Sequence, residues 1–152
     1  MLVGKGEFFI SLFLRAMSYV LSPKGFLQVG GVVLVLVAVL GYVGLIGPTS
    51  DSLFGDYWYF NNAENIAHLV LGVVALIASV AISASLQRYL TVAVGVIALL
   101  VAVVSLLSPM PMGTTFLGAA LQNPFDTVLH IVVGVWAVLA FRGNPSTSGG
   151  MM

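Results

Sequence analysis

Residues 89–107 read YLTVAVGVIALLVAVVSLL, an apolar run without a single charge. An α-helix needs about 20 mostly apolar residues to cross the hydrocarbon core of a bilayer, and this run has that length. A second run, Val29–Gly47 (VGGVVLVLVAVLGYVGLIG), lies inside an uncharged stretch from Gly25 to Ser50 and stops at Pro48. Between these two, Asn62–Leu86 ends ahead of Gln87 and Arg88; beyond them, Pro124–Arg142 opens on a proline suited to a first helical turn. The four runs predict an all-α polytopic membrane protein with four spanning helices.

Composition agrees. Of 152 residues, 60% are hydrophobic and only 7% are charged, with a mean hydropathy of +1.13. A soluble domain has about a quarter of its residues charged, so this chain has too few to cover a water-facing surface. That excludes a soluble enzyme and a disordered tail protein. Five basic and five acidic side chains cancel, so no overall field recruits nucleic acid. Cysteine is absent, which removes disulfides, thiolate metal sites, iron–sulfur clusters and cysteine nucleophiles together.

The N-terminus differs from the spans. Glu7 and Arg15 interrupt its apolar run, and Glu7, Ser11, Arg15, Ser18 and Ser22 recur at steps of three and four. This is a narrow polar stripe on an otherwise apolar helix, expected over Glu7–Leu21 and lying in the membrane interface. Pro23 and Gly25 separate it from the first span. A cleaved signal peptide is the weaker reading, because Arg15 falls within the apolar region and no small-residue cleavage site follows. The expected organisation is an interfacial helix and turn over 1–25, a four-helix transmembrane domain over 26–142, and a disordered polar tail over 143–152.

Charge sets the expected orientation. Lys5, Arg15, Lys24, Arg88 and Arg142 fall on one side of this arrangement, and Asp51, Asp56, Glu64 and Asp126 on the other. The positive-inside rule places both termini in the cytoplasm and the protein in the cell (inner) membrane. The loops Thr49–Asn61 and Met110–Asn123 then face outward, with Tyr57, Trp58, Tyr59 and Phe60 as an aromatic belt at the outer interface.

The chain also repeats itself. Adding 62 to positions in the second span carries Asn61 to Asn123, Glu64 to Asp126, His68 to His130, Gly72 to Gly134 and Ala75 to Ala137. Upstream, GLIGP ending at Pro48 matches SLLSP ending at Pro109 with a one-residue slip. The repeated unit is span, outer loop, span, at about 29–86 and again at about 89–142. Both copies run in the same direction, unlike the inverted repeats of many transporters.

The motif Glu64-Asn65-x-x-His68-Leu69-x-x-Gly72, followed by Asp126-x-x-Leu129-His130-x-x-x-Gly134, resembles an uncharacterised family of small bacterial membrane proteins, domain of unknown function 4383. The resemblance covers roughly 29–141 and leaves out the N-terminal helix. It implies a four-helix membrane protein and no known activity.

Positions four apart share a helix face, so Glu64 sits beside His68 and Asp126 beside His130. Ionisable groups within a span are default candidates for function. Both histidines are expected inside the bundle at one depth, roughly 9 Å from the outer helix ends at 1.5 Å per residue. Small or polar seams continue through Gly72, Ala75 and Ser79, through Gly134 and Ala137, through Gly95, Ala98, Ala102 and Ser105, and through Gly41, Gly44 and Gly47. Such seams turn inward in lipid.

Three readings compete for the polar residues. In the structural one, Glu64 and Asp126 stabilise helix N-termini, each accepts a hydrogen bond from its histidine, and the two histidines close a polar layer between helices. In the second, His68 and His130 are axial ligands to haem or bind chlorophyll magnesium, with Gly72 and Gly134 leaving room for the ring. In the third, Glu64, His68, Asp126 and His130 hold a divalent metal, although the bundle di-iron pattern has more carboxylates and a Glu-x-x-His step of three. Met110 and Met112 read as loop residues at the interface in preference to copper ligands. No Gly-rich phosphate loop or separate acid–base partner for a serine supports hydrolase chemistry. No ionisable group lies below the histidines until Arg88 and Arg142, which disfavours ion transport. The expectation is a non-enzymatic accessory or scaffold protein packing against other membrane proteins or lipid, or associating with itself; the alternative is a haem or pigment subunit of an electron-transfer or photosynthetic complex.

Overall fold

The computed structural model describes residues 4–47, 52–107 and 114–143. The expected disordered tail, the methionines Met110 and Met112, and the helix-ending Pro48 and Pro109 lie outside the described residues. Among the described residues there are five α-helices: α1 (Lys5–Val20), α2 (Pro23–Tyr42), α3 (Asn62–Ala81), α4 (Ala84–Leu107) and α5 (Phe125–Arg142). The last four are long and apolar enough to cross a membrane; α1 is not among them. The chain is therefore an all-α protein with four candidate spans, as its hydropathy predicts.

The helix ends differ from the apolar runs, for local reasons. The first span begins at Pro23, not Val29. Ser22 caps it by accepting from the Gly25 N–H at 3.0 Å, and Pro23 fills the first turn, where its missing N–H costs nothing. Pro23 and Gly25 thus start α2; they do not merely break α1 from it. The span ends at Tyr42, not Gly47, because the chain turns at Gly44 with φ +84, the left-handed conformation that stops helices. Between α3 and α4 the break falls at Ile82 and Ser83, short of the expected Leu86. The Gln87 side chain turns back and donates to the carbonyls of Ser79 (2.9 Å), Ile82 (3.2 Å) and Ala78 (3.4 Å). It thereby occupies acceptors that the end of α3 leaves open.

The connection between α4 and α5 is more ordered than a loop. β1 (Thr114–Phe116) and β2 (Ala119–Leu121) pair antiparallel, with Thr115 opposite Ala120. Leu117 (φ 52) and Gly118 (φ 87) make the two-residue turn, a geometry matched to strand twist.

Packing follows membrane rules, with small residues inside and large aliphatics outside. α2 meets α3 where Gly31 faces Gly72: a Cβ on Gly72 would fall 2.8 Å from the Gly31 carbonyl oxygen. Nearer the acidic end, Gly41 lies against the Asn65 amide. α4 meets α5 where Gly95 faces Ala137 and Gly134 faces Leu99, and where Thr127 donates to Ser105 at 2.7 Å. The expected seam Gly95, Ala98, Ala102 and Ser105 is buried throughout, whereas α2 buries Gly31, Ala38 and Gly41. Gly44 falls beyond the end of that helix. α2 also touches α4 and α5 and so lies at the centre of the four.

The apolar core, Phe26, Leu27, Ala78, Ala137 and Ala140, gathers at the basic end. There Phe26 meets Trp136 edge-on at 4.7 Å, and the Arg88 guanidinium donates to the Phe141 carbonyl at 2.9 Å. Meanwhile Leu36, Ile77, Leu100 and Val132 are more than half exposed, an outer surface suited to lipid.

Candidate functional site

The acidic end holds the polar residues that the sequence singles out. Asn61 and Glu64 form a reciprocal cap on α3: Asn61 Oδ1 accepts from the Glu64 N–H at 3.0 Å, and Glu64 Oε2 accepts from the Asn61 N–H at 2.8 Å. This capping box satisfies two otherwise orphaned donors. At the start of α5, Asp126 Oδ2 accepts from the Gln122 N–H at 2.6 Å and Oδ1 from the Trp58 indole at 3.1 Å. Both acids are buried, Glu64 at 4% exposure and Asp126 at 3%. Each also sits where a helix N-terminus favours negative charge.

The carboxylates are therefore committed to backbone and indole donors, not to the histidines. This corrects the expected acid–histidine pairs. His130 Nδ1 lies 2.6 Å from the Asp126 backbone carbonyl, one turn back along its own helix. His68 stacks on Phe60, with ring centroids 4.8 Å apart and planes 16° from parallel, and its buried Nδ1 makes only a weak contact with the Glu64 backbone, one turn back along its own helix. The two imidazoles lie within Coulombic reach of each other, as do the two carboxyls, yet no hydrogen bond joins either pair. The reason is architectural: α3 packs chiefly on α2, and α5 on α4, so the histidines do not share one helix interface.

Gly72 and Gly134, expected to leave room for a tetrapyrrole, both lie at close helix contacts. Val35 and the Gly31 backbone occupy the space at Gly72; the Leu99 side chain occupies it at Gly134. These glycines serve close helix contact. The set Glu64, His68, Asp126 and His130 likewise is not assembled as a metal centre: among the described residues no three His, Asp or Glu side chains are grouped to hold an ion.

Residues outside the motif complete the cluster. Trp58 lies between Phe54 (5.2 Å), Phe60 (5.5 Å) and Phe125 (6.3 Å), and Phe60 is 4% exposed. Of the residues expected as an aromatic belt, Tyr57 is 76% exposed, whereas Trp58 turns in to Asp126 and Phe60 to His68. Asn61 Nδ2 donates to the Gly118 carbonyl at 2.8 Å, which ties the β-turn to the start of α3. With its amide oriented to satisfy both neighbours, Gln122 donates to the carbonyls of Tyr59 (2.8 Å) and Ala120 (3.2 Å). Chemically the arrangement is a clamp: buried carboxylates and amides cross-link the two outer connections to the helix ends. Asn65 Oδ1 remains buried without a partner; its counterpart under the 62-residue shift, Thr127, is bonded to Ser105.

No protein-family model, curated protein or solved structure matches the chain.

Proposed function

We propose that this multi-pass membrane protein is a non-enzymatic scaffold or accessory subunit that packs against lipid and other membrane proteins or further copies of itself. The observation that carries this reading is the use of Glu64 and Asp126 in capping and cross-linking, a structural role for both acids. The likeness of the Glu64–Gly72 and Asp126–Gly134 motifs to the family of small four-helix bacterial membrane proteins supports it. So does the repeat of α3 in α5 at a shift of 62: the paired glycines Gly72 and Gly134 each lie against an aliphatic side chain of the neighbouring helix, Val35 and Leu99. We read the bundle as one helical hairpin used twice. The basic ends of the spans suit a cytoplasmic side for both termini in the cell membrane.

An absorption spectrum and elemental analysis of protein purified in mild detergent test this reading. Colourless, metal-free protein is expected. A Soret or chlorophyll band that disappears in His68→Ala or His130→Ala overturns it in favour of a pigment-binding subunit.

A further inference from the structure

We infer that α1 docks on the anionic headgroup layer of the bilayer leaflet at the basic end of the bundle. The inference rests on the membrane reading above and adds the partner and its chemistry.

α1 buries none of its own residues. Phe9, Ile10, Phe13 and Leu14 are exposed at 58–66%, so the chain itself leaves this apolar face uncovered. A face this apolar needs a non-aqueous neighbour. At 16 residues and about 1.5 Å per residue, α1 reaches only about 24 Å, short of the roughly 30 Å hydrocarbon core. Glu7 and Arg15 add charge that a span would have to bury.

The joint with α2 fixes where α1 begins its course. The Val20 carbonyl accepts from the Trp136 indole at 2.9 Å, Leu21 lies against Gly143 just past the end of α5, and the Tyr19 hydroxyl bonds Gln28. The C-terminal end of α1 is thereby held level with Arg142, where the spans leave the bilayer. A helix leaving from that level meets the interface first, and its polar stripe of Glu7, Ser11, Arg15 and Ser18 is narrow enough to face water from there.

Charge selects the lipid. Lys24, Arg88 and Arg142 lie at this end of the spans, and α1 itself adds Lys5 and Arg15 against Glu7. Basic residues near a membrane surface favour anionic headgroups, by about fivefold in the docking equilibrium for each residue.

The absence of cysteine makes single-site spin labelling direct. Labels would be placed one at a time at Phe13, Ser11 and, as a control, the exposed α4 residue Leu100. The full chain would be reconstituted in phosphatidylcholine vesicles with and without phosphatidylglycerol. The expected result is a Phe13 label accessible to oxygen and shielded from a water-soluble nickel chelate, with the reverse at Ser11. Removing phosphatidylglycerol, or introducing Arg15→Gln, should lower the docked fraction, the latter about fivefold in the docking equilibrium. Equal chelate access at Phe13 and Ser11 overturns the inference. So does spin–spin broadening lost on dilution with unlabelled protein, which would make a second copy the occupant. Docking that ignores phosphatidylglycerol overturns the anionic preference. A Leu100 label in lipid during any of these failures leaves the membrane reading standing; a Leu100 label in water removes that reading as well.

Discussion

The Trp58 indole N–H donates to Asp126 Oδ1 at 3.1 Å across 68 residues of sequence, and this bond links the outer connection after α2 to the first turn of α5. Trp58→Phe keeps the ring among Phe54, Phe60 and Phe125 and removes only the donor. In membrane bundles such a bond contributes on the order of 1 kcal/mol. Asp126→Asn should cost more, about 1–3 kcal/mol, because the amide cannot accept from both Trp58 and Gln122 and leaves a buried donor facing a donor. The two changes share one interaction, so the double variant should lose less than the sum. Denaturation in mixed micelles measures all three, and strict additivity would show that the bond does not form.

The glycines make a graded prediction. At Gly72 a new Cβ meets the Gly31 backbone oxygen at 2.8 Å; at Gly134 it meets the Leu99 side chain at 2.5 Å. A leucine tip can swing aside, whereas a helix backbone moves only with the helix. Gly72→Ala should therefore destabilise by about 1–3 kcal/mol through overpacking. Gly134→Ala should cost less, offset by roughly 1 kcal/mol of improved helix propensity. Equal losses in the two variants would contradict the contact geometry.

These contacts also mark how far the residues alone can be read. The four spans are legible because a bilayer demands length and apolarity together, and Tyr89–Leu107 can satisfy that in no other way. Their ends are less so: hydropathy locates the apolar middle of a helix, while Ser22, Gly44 and Gln87 decide where the backbone stops being helical. The β-turn at Leu117 and Gly118 is hidden because a leucine at positive φ carries no turn signal; only the neighbouring glycine does. Within the site, the 62-residue repeat singles out Glu64, His68, Asp126 and His130. It cannot show that the carboxylates turn toward backbone N–H groups, or that Trp58 arrives from a distant loop.

Four spans would put both ends of the bundle on one side of the membrane, and charge sets which side is proposed. The Arg88 bond to Phe141 holds the start of α4 beside the end of α5, and Lys24 starts α2, so the basic groups collect at one end of the bundle. A reporter active only outside the cell should be silent when fused at Met152 and active in the loop between Asp51 and Tyr57. The reverse pattern would invert the proposed orientation.

The histidines should behave unequally, because their ring nitrogens are used differently. His130 Nδ1 sits 2.6 Å from the Asp126 carbonyl, whereas His68 Nδ1 makes only a weak contact with the Glu64 backbone and its ring is held by stacking on Phe60. A poorly paired buried polar atom contributes little, so His68→Phe should cost less than His130→Phe: it keeps the stack and removes a weakly bonded nitrogen. His130→Phe should cost on the order of 1 kcal/mol, the value of a hydrogen bond within a membrane bundle. The two share no bond, so their effects should add within about 0.5 kcal/mol. Denaturation of both single variants and the double variant in mixed micelles tests the whole set. A His68→Phe protein that loses as much as His130→Phe would mean that the contact of His68 with the Glu64 backbone is a full hydrogen bond, and strong non-additivity would join the two rings into one unit.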